Sequence, residues 1–189
     1  MTDAAGPGFR KSVVREYFES ICVAVILAFF VRTFVVQAFK IPSGSMEPNL
    51  LIGDHLLVNK FVFAPTVTSL ERLLLPIDPI RRGDIIVFKY PEDPSRDFIK
   101  RVIGLPGDEI KIEQGDVFVN GTPLVEPYVA RPDRRTRLLE TVAPDHYFVL
   151  GDNREHSSDS REFGQVPRRL LRGRVDLRVW PPLRAGAVL

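Results

Sequence analysis

The sequence predicts a mainly-β protein, two small antiparallel β-sheet lobes preceded by one N-terminal transmembrane helix. Three observations carry that expectation. A continuous apolar segment runs from Ser20 to Ala38 with Arg32 as its only charge. Beyond Lys40 the apolar residues come in short β-branched or aromatic runs bounded by Gly, Pro, Asp or Asn. Proline, 16 of 189 residues, is scattered between those runs at about 8% against the usual ~5%, which favours strands and turns over long helices. The length suits one compact domain or two small lobes. Lys and Arg total 26 against 24 Asp and Glu, a formal charge of +2, so no global field draws nucleic acid to the chain. The single cysteine, Cys22, excludes an internal disulfide and a thiolate cluster and reads as an apolar filler.

As a helix, Ser20 to Ala38 would be roughly 28 Å long, matching a ~30 Å hydrocarbon core. Arg32 lies near the far end, where its side chain can snorkel to the interface. Arg10, Lys11 and Arg15 precede the segment, and the positive-inside rule keeps that basic end cytoplasmic while the remainder is exported. The expected organisation is a cytoplasmic tail at 1–16, a transmembrane anchor at 17–38 and an extracytoplasmic β domain at 39–189. A cleavable secretory signal is the rival reading, with Ile21 to Val31 as its apolar core and a cut after Ala38. A buried helix of a soluble protein is a third. The anchor's end is open, since Phe34 to Phe39 suits either a last helical turn or a first strand.

After Lys40 only Thr68 to Leu75 (TSLERLLL) has a helical period, and Pro76 ends it. The expected strands are HLLVNKFVF (55–63), DIIVFKY (84–90), DFIKRVIGL (97–105), DEIKIEQ (108–114), DVFVN (116–120), HYFVLGD (146–152) and VDLRVW (175–180). Gln114-Gly115 and Asn120-Gly121 are hairpin-turn signals. The locally basic stretches Arg131 to Arg137 and Arg168 to Arg178 read as solvated surface, with contact to anionic lipid headgroups the alternative.

The sequence offers no GxSxG elbow, and His55, His146 and His156 stand in no triad motif. HExxH, CxxC and Gly-rich phosphate loops are missing too. GDNREHSSDS (151–160) has Asp152, His156 and Asp159 but lacks the Gly and terminal Glu of an EF-hand loop. What is left is a serine with a different base. In Pro42-Ser43-Gly44-Ser45-Met46 the glycine permits a tight backbone that presents the next side chain. In DFIKRVIGL, period-two geometry puts Phe98, Lys100 and Val102 on one face and Ile99, Arg101 and Ile103 on the other. Desolvation by such neighbours lowers a lysine from about 10.4 toward 7–8. A neutral amine can then take a serine's proton, which is Ser-Lys nucleophilic catalysis. The plain alternative, a surface lysine in water and an ordinary loop serine, stays open on these residues alone.

Three separated motifs, FKIPSGSMEPNLLIGD (39–54), FIKRVIGLPGDEI (98–110) and GDNREHSSDSREFG (151–164), together resemble the bacterial type I signal peptidases. These are membrane-anchored serine proteases that remove signal peptides from exported preproteins. The resemblance covers Arg10 to Trp180, although Thr122 to Pro144 carries no matching motif. It implies Ser45 as nucleophile, Lys100 as general base, and Ser43 as the hydroxyl that forms the oxyanion hole with the Ser45 N–H. Ser157 corresponds to the serine that hydrogen-bonds and orients the base. Asp159, Arg161 and Arg101 correspond to a supporting ion-pair network. Phe39, Ile41, Met46, Leu50, Phe98 and Ile99 are expected to wall the shallow pockets that admit an Ala-x-Ala pattern. His156 stands where the family more often has asparagine, and Asn49 where threonine is usual. The resemblance further implies a monomer in the bacterial cytoplasmic (inner) membrane, crossing once, with its N-terminus cytoplasmic and its catalytic domain outside. Its partners would be preprotein signal peptides and the lipid bilayer, with no nucleic acid, metal or organic cofactor. Two other readings are a self-cleaving repressor-type Ser-Lys protease and a non-catalytic exported β module.

Overall fold

Runs of Val, Ile and Phe closed by Gly, Pro, Asp or Asn become strands in the computed structural model, which describes residues 13–30, 36–60, 79–130, 133, 134 and 136–188. The strands are β1 (Val36–Lys40), β2 (His55–Asn59), β3 (Ile85–Lys89), β4 (Asp97–Gly104), β5 (Glu109–Glu113), β6 (Asp116–Val119), β7 (Thr122–Pro123), β8 (Arg137–Thr141), β9 (His146–Leu150), β10 (Val166–Pro167), β11 (Leu171–Trp180) and β12 (Gly186–Ala187). Helix α1 (Val13–Phe30) precedes them, and a single turn, α2 (Ser160–Phe163), follows β9. Every pairing among the described strands is antiparallel.

One sheet has eight strands in the order β1-β2-β11-β3-β4-β9-β10 with β12 added on β11, and the other has four in the order β7-β6-β5-β8. Strand β11 begins at Leu171 rather than Val175, and the added residues Leu171 to Arg174 pair with β3 while the rest of the strand pairs with β2 and β12. The small sheet is an insertion between β4 and β9, which pair with each other. Its β7 and β8 come from the stretch Thr122 to Pro144 that carries no motif.

Burial explains the sequence patterns. In β3, Ile85 and Val87 pack into one core with Ile41, Met46, Leu50, Leu56, Val58, Ile99 and Val175. Ile86 and Phe88 pack into a second with Val102, Tyr147, Val149, Val166 and Leu171. A strand covered on both faces reads as an unbroken apolar run. Strand β5 has one wet face, so Ile110 and Ile112 are buried while Glu109, Lys111 and Glu113 are exposed. The hairpins β5–β6 and β6–β7 use left-handed pairs, Gln114 and Gly115 at φ 50° and 97° and Asn120 and Gly121 at 51° and 76°, as two-residue turns require.

The chain divides into the units Met1–Val35 and Val36–Leu189. In the first, α1 runs 18 residues, roughly 27 Å. Arg15, Glu16 and Glu19 occupy its first turns, with Arg15 Nε donating to Glu19 at 2.8 Å. Among the described residues no helix is long and apolar enough to cross a membrane. A continuous helix to Ala38 is corrected: Val36 to Ala38 lie in β1, paired with Leu57 to Asn59. Phe39 packs against the first core, and that burial draws this stretch into the sheet. The 1–12 tail, TSLERLLL, the end of HLLVNKFVF at 61–63, Arg131, Pro132 and Arg135 lie outside the described residues.

Candidate active site

The loop from β1 to β2 carries Ser45 between apolar anchors. Ile41, Met46 and Leu50 are all buried in the first core, so hydrophobic burial fixes the loop on both sides of the serine. Backbone bonds complete it: Ile41 N–H donates to Asp54 O at 2.9 Å and Leu50 N–H to Met46 O at 2.9 Å. Gly44 is not one of the positive-φ glycines. Its place is instead taken up by space, because the Glu47 carboxylate lies 2.9 Å from where a Cβ would stand.

Strand β4 brings the lysine. Lys100 Nζ lies 2.7 Å from Ser45 Oγ and donates to Ile99 O at 3.0 Å. Lys100 is 4% exposed and Ser45 8%. The amine also sits 5.3 Å from the centre of the Phe98 ring, and Tyr90 stacks on that ring at 4.5 Å. Burial pushes Lys100 down to about 8, against the pull of the Asp159 and Asp152 carboxylates. An ammonium here donates to the Ser45 hydroxyl, whereas the free amine accepts its proton.

The expected ion-pair network resolves into two separate pairs. Arg161 grips Asp159 through Nε and Nη2, each at 2.8 Å. Arg101 instead grips Asp152, with Nε and Nη2 each at 2.8 Å from its carboxylate. Each arginine thus makes its own two-pronged contact with a different carboxylate, the geometry a planar guanidinium favours. Asp159 also accepts from Gly151 N–H at 3.0 Å and from the Ser157 hydroxyl at 2.7 Å. Burial alone would raise its carboxyl, but Arg161 and these donors hold it below the usual range. Ser157 is therefore committed to Asp159, and the hydrogen bonds of Lys100 go to Ser45 and Ile99. The expected Ser157–Lys100 hydrogen bond is not formed: the Ser157 O–H is given to the ionised Asp159 carboxylate, and the amine is turned to Ser45 Oγ and Ile99 O.

A cavity of about 700 Å³ opens over these groups, lined by Ser43, Ser45, Lys100 and Asn153 together with Ile41, Met46, Phe98 and Ile99. Ser43 is exposed at its edge. Two expected wall residues are elsewhere: Leu50 is fully buried in the core and Phe39 packs against it. Glu47, Ile52, Arg96, Asp97 and His156 also line the cavity, so its rim is charged as well as apolar.

A family model described as signal peptidase, peptidase S26, matches residues 14–180. The chain belongs to the signal peptidase family. A probable signal peptidase I-2 from Synechocystis sp. is 45% identical over 177 residues, covering 90% of this chain and 75% of that one. A signal peptidase I from Leptolyngbya laminosa is 42% identical over 190 residues, covering 97% and 88%. A solved signal peptidase I from Enterococcus faecalis V583 aligns with a TM-score of 0.46 and 33% identity, over 51% of this chain and 97% of that one. The protein is thus a serine endopeptidase of the signal peptidase I kind, a family whose reaction is the removal of signal peptides.

Several residues around this peptidase site went unread in the sequence. Asp152 stood only among discarded metal ligands. Asn49 figured only as a departure from the family pattern, yet its Nδ2 donates to Asp152 at 2.7 Å and to Tyr128 O at 2.9 Å. Tyr128 lies under Arg101, whose Cζ is 4.1 Å from the ring centre, and Glu126 pairs with buried Arg154. Asp133 pairs with Arg161 at 2.6 Å. No local signal marks Glu126 and Asp133, because the arginine that each pairs with lies 28 residues away in sequence.

Proposed function

We propose that this signal peptidase cuts preproteins after small residues with Ser45 as nucleophile and Lys100 as general base. The observation that carries the reading is the 2.7 Å approach of Lys100 Nζ to Ser45 Oγ, at a buried amine lowered to about 8. In its neutral form Lys100 takes the hydroxyl proton as Ser45 Oγ attacks the scissile carbonyl carbon. The oxyanion is received by the Ser45 N–H and the Ser43 hydroxyl, donors for charge that exists only in the transition state. The lysine ammonium then gives its proton to the leaving amine, and the free amine activates water to release the acyl group from Ser45.

Ile41, Met46, Phe98 and Ile99 form the apolar part of the cavity, where close walls admit alanine and reject larger side chains sterically. Residues Asp97 to Lys100 pair with β3 on one side, while β9 pairs with β4 only from Arg101. That leaves a backbone edge for an extended substrate to join. Asp159, Arg161 and Ser157 hold the third motif against the lysine, and Arg101 with Asp152 anchors β4. The apolar run from Ser20 continues in sequence through Val35, and we assign it as a single bacterial inner-membrane anchor with a cytoplasmic N-terminus and an extracytoplasmic catalytic unit. The chain then acts as a monomer on signal peptides at the bilayer surface.

Cleavage of a purified preprotein by the wild type, Ser45→Ala and Lys100→Ala tests the dyad. Both variants should lose turnover by several orders of magnitude while staying folded. Full activity in either one rules the dyad out.

A further inference from the structure

We infer that Asn153 is a positioning residue that aims the Ser45 N–H into the cavity by holding the two peptide carbonyls that flank the nucleophile. The inference rests on the reading of Ser45 as nucleophile and adds a residue to which that reading gives no part.

Asn153 follows β9 in the third motif and is 3% exposed. Its backbone N–H donates to Ser45 O at 3.1 Å. Its side-chain Nδ2 donates to Gly44 O at 3.1 Å. One residue therefore holds both the peptide group before the serine and the peptide group after it, sharing the first with Glu47, whose N–H also donates to Gly44 O at 3.1 Å. The cis peptide bonds are at Glu47-Pro48 and Trp180-Pro181, so the Gly44–Ser45 peptide is trans and its C=O and N–H point in opposite directions. Pinning Gly44 O to Asn153 thereby turns the Ser45 N–H away from Asn153. That N–H donates to no described residue, so it is left for a group that enters the cavity.

The amide's orientation is set by chemistry. Gly44 O can only accept, so the side-chain nitrogen must face it. The other end of the amide gains nothing in return, since Asn153 Oδ1 is buried without a protein partner among the described residues. A buried unpaired acceptor lowers stability, so the asparagine is not explained by fold stability alone. A donor aimed at Gly44 O explains it. Aspartate, of the same shape, would set a carboxylate oxygen against that carbonyl.

The test compares wild type, Asn153→Ala, Asn153→Asp and Ser45→Ala in the full chain. It measures kcat and KM on a preprotein, melting temperature, and affinity for a peptide boronate ending in alanine, whose tetrahedral adduct on Ser45 needs the same N–H. Misaiming one oxyanion donor should lower kcat roughly 10²-fold with KM nearly unchanged. Boronate affinity should fall in parallel for both Asn153 variants, and the melting temperature of Asn153→Ala should stay close to that of the wild type. Wild-type kcat and boronate affinity in both Asn153 variants would overturn the inference. So would a kcat loss that tracks unfolding with the boronate still bound normally by the folded fraction. If Ser45→Ala itself cleaves, the dyad falls first and takes this inference with it. If Ser45→Ala is inactive and Asn153→Ala is not, only the present inference falls.

Discussion

Lys100 is useful as a base only when it is uncharged, and its surroundings decide at what pH that occurs. With the amine lowered to about 8 by burial, the neutral fraction grows tenfold per unit below that value and levels off above it. Accordingly kcat/KM on a preprotein should rise between pH 6 and pH 9 and bend near 8, as read from initial rates across a buffer series. A flat or falling profile would remove Lys100 from the role. Gly151 is the second residue-scale case. A Cβ there would overlap the Ser157 hydroxyl and approach Ser45 O to 2.6 Å, so Gly151→Ala must move the nucleophile or the group that holds Asp159. Displacing a reacting atom by about 1 Å costs on the order of 10²-fold. Turnover should drop by that much with KM changed far less, and a variant at wild-type rate would show that the loop relaxes freely.

At the scale of elements, the stretch leading from β7 toward β8 braces the third motif. Glu126 holds Arg154, Tyr128 lies under Arg101, and Asp133 holds Arg161. Glu126 and Arg154 are 11% and 3% exposed in their side chains. Glu126→Ala therefore removes the carboxylate that accepts from both Nη atoms of a buried guanidinium, although Arg154 Nε keeps Gly151 O at 3.0 Å. A loss of about 3 kcal/mol in urea unfolding is expected, at the low end for a broken buried pair. Glu113→Ala, which breaks an exposed pair with Lys111 in the same small sheet, should change little. Equal effects from the two substitutions would mean that the stretch does not brace the motif. The strands themselves were largely legible in sequence: β5 by its alternation, β3 by its unbroken apolar run, and the hairpins by Gln-Gly and Asn-Gly. β7 and β8 were not, because Thr122, Pro123 and Arg137 to Thr141 take strand form through pairing with β6 and β5 rather than through their own pattern.

For the whole molecule, the division at Val35 and Val36 has a practical consequence. Among the described residues all three cores are built from Ile41 onward, with Phe39 the earliest packed against them. A chain starting at Val36 keeps β1 and every described core residue. It should fold, unfold cooperatively and cleave a soluble peptide with an Ala-x-Ala site, while the full chain should resist alkaline carbonate extraction from membranes. A truncated chain that fails to fold would show that the first unit is needed for more than anchoring, and release of the full chain by carbonate would refute the anchor.

By itself the sequence determined that the chain is mainly β, where most strands lie and the three motifs, because these depend on local periodicity, turn chemistry and contiguous residues; Ser45 and Lys100 were singled out only through the resemblance those motifs carry. The tertiary structure alone decided that Arg101 pairs with Asp152 rather than Asp159, that Ser157 serves the carboxylate, that Leu50 and Phe39 belong to the core, and that Asn153 grips the serine loop from 109 residues away. Each of those is a choice among several chemically equivalent partners, and only the folded arrangement of strands brings one of them within reach.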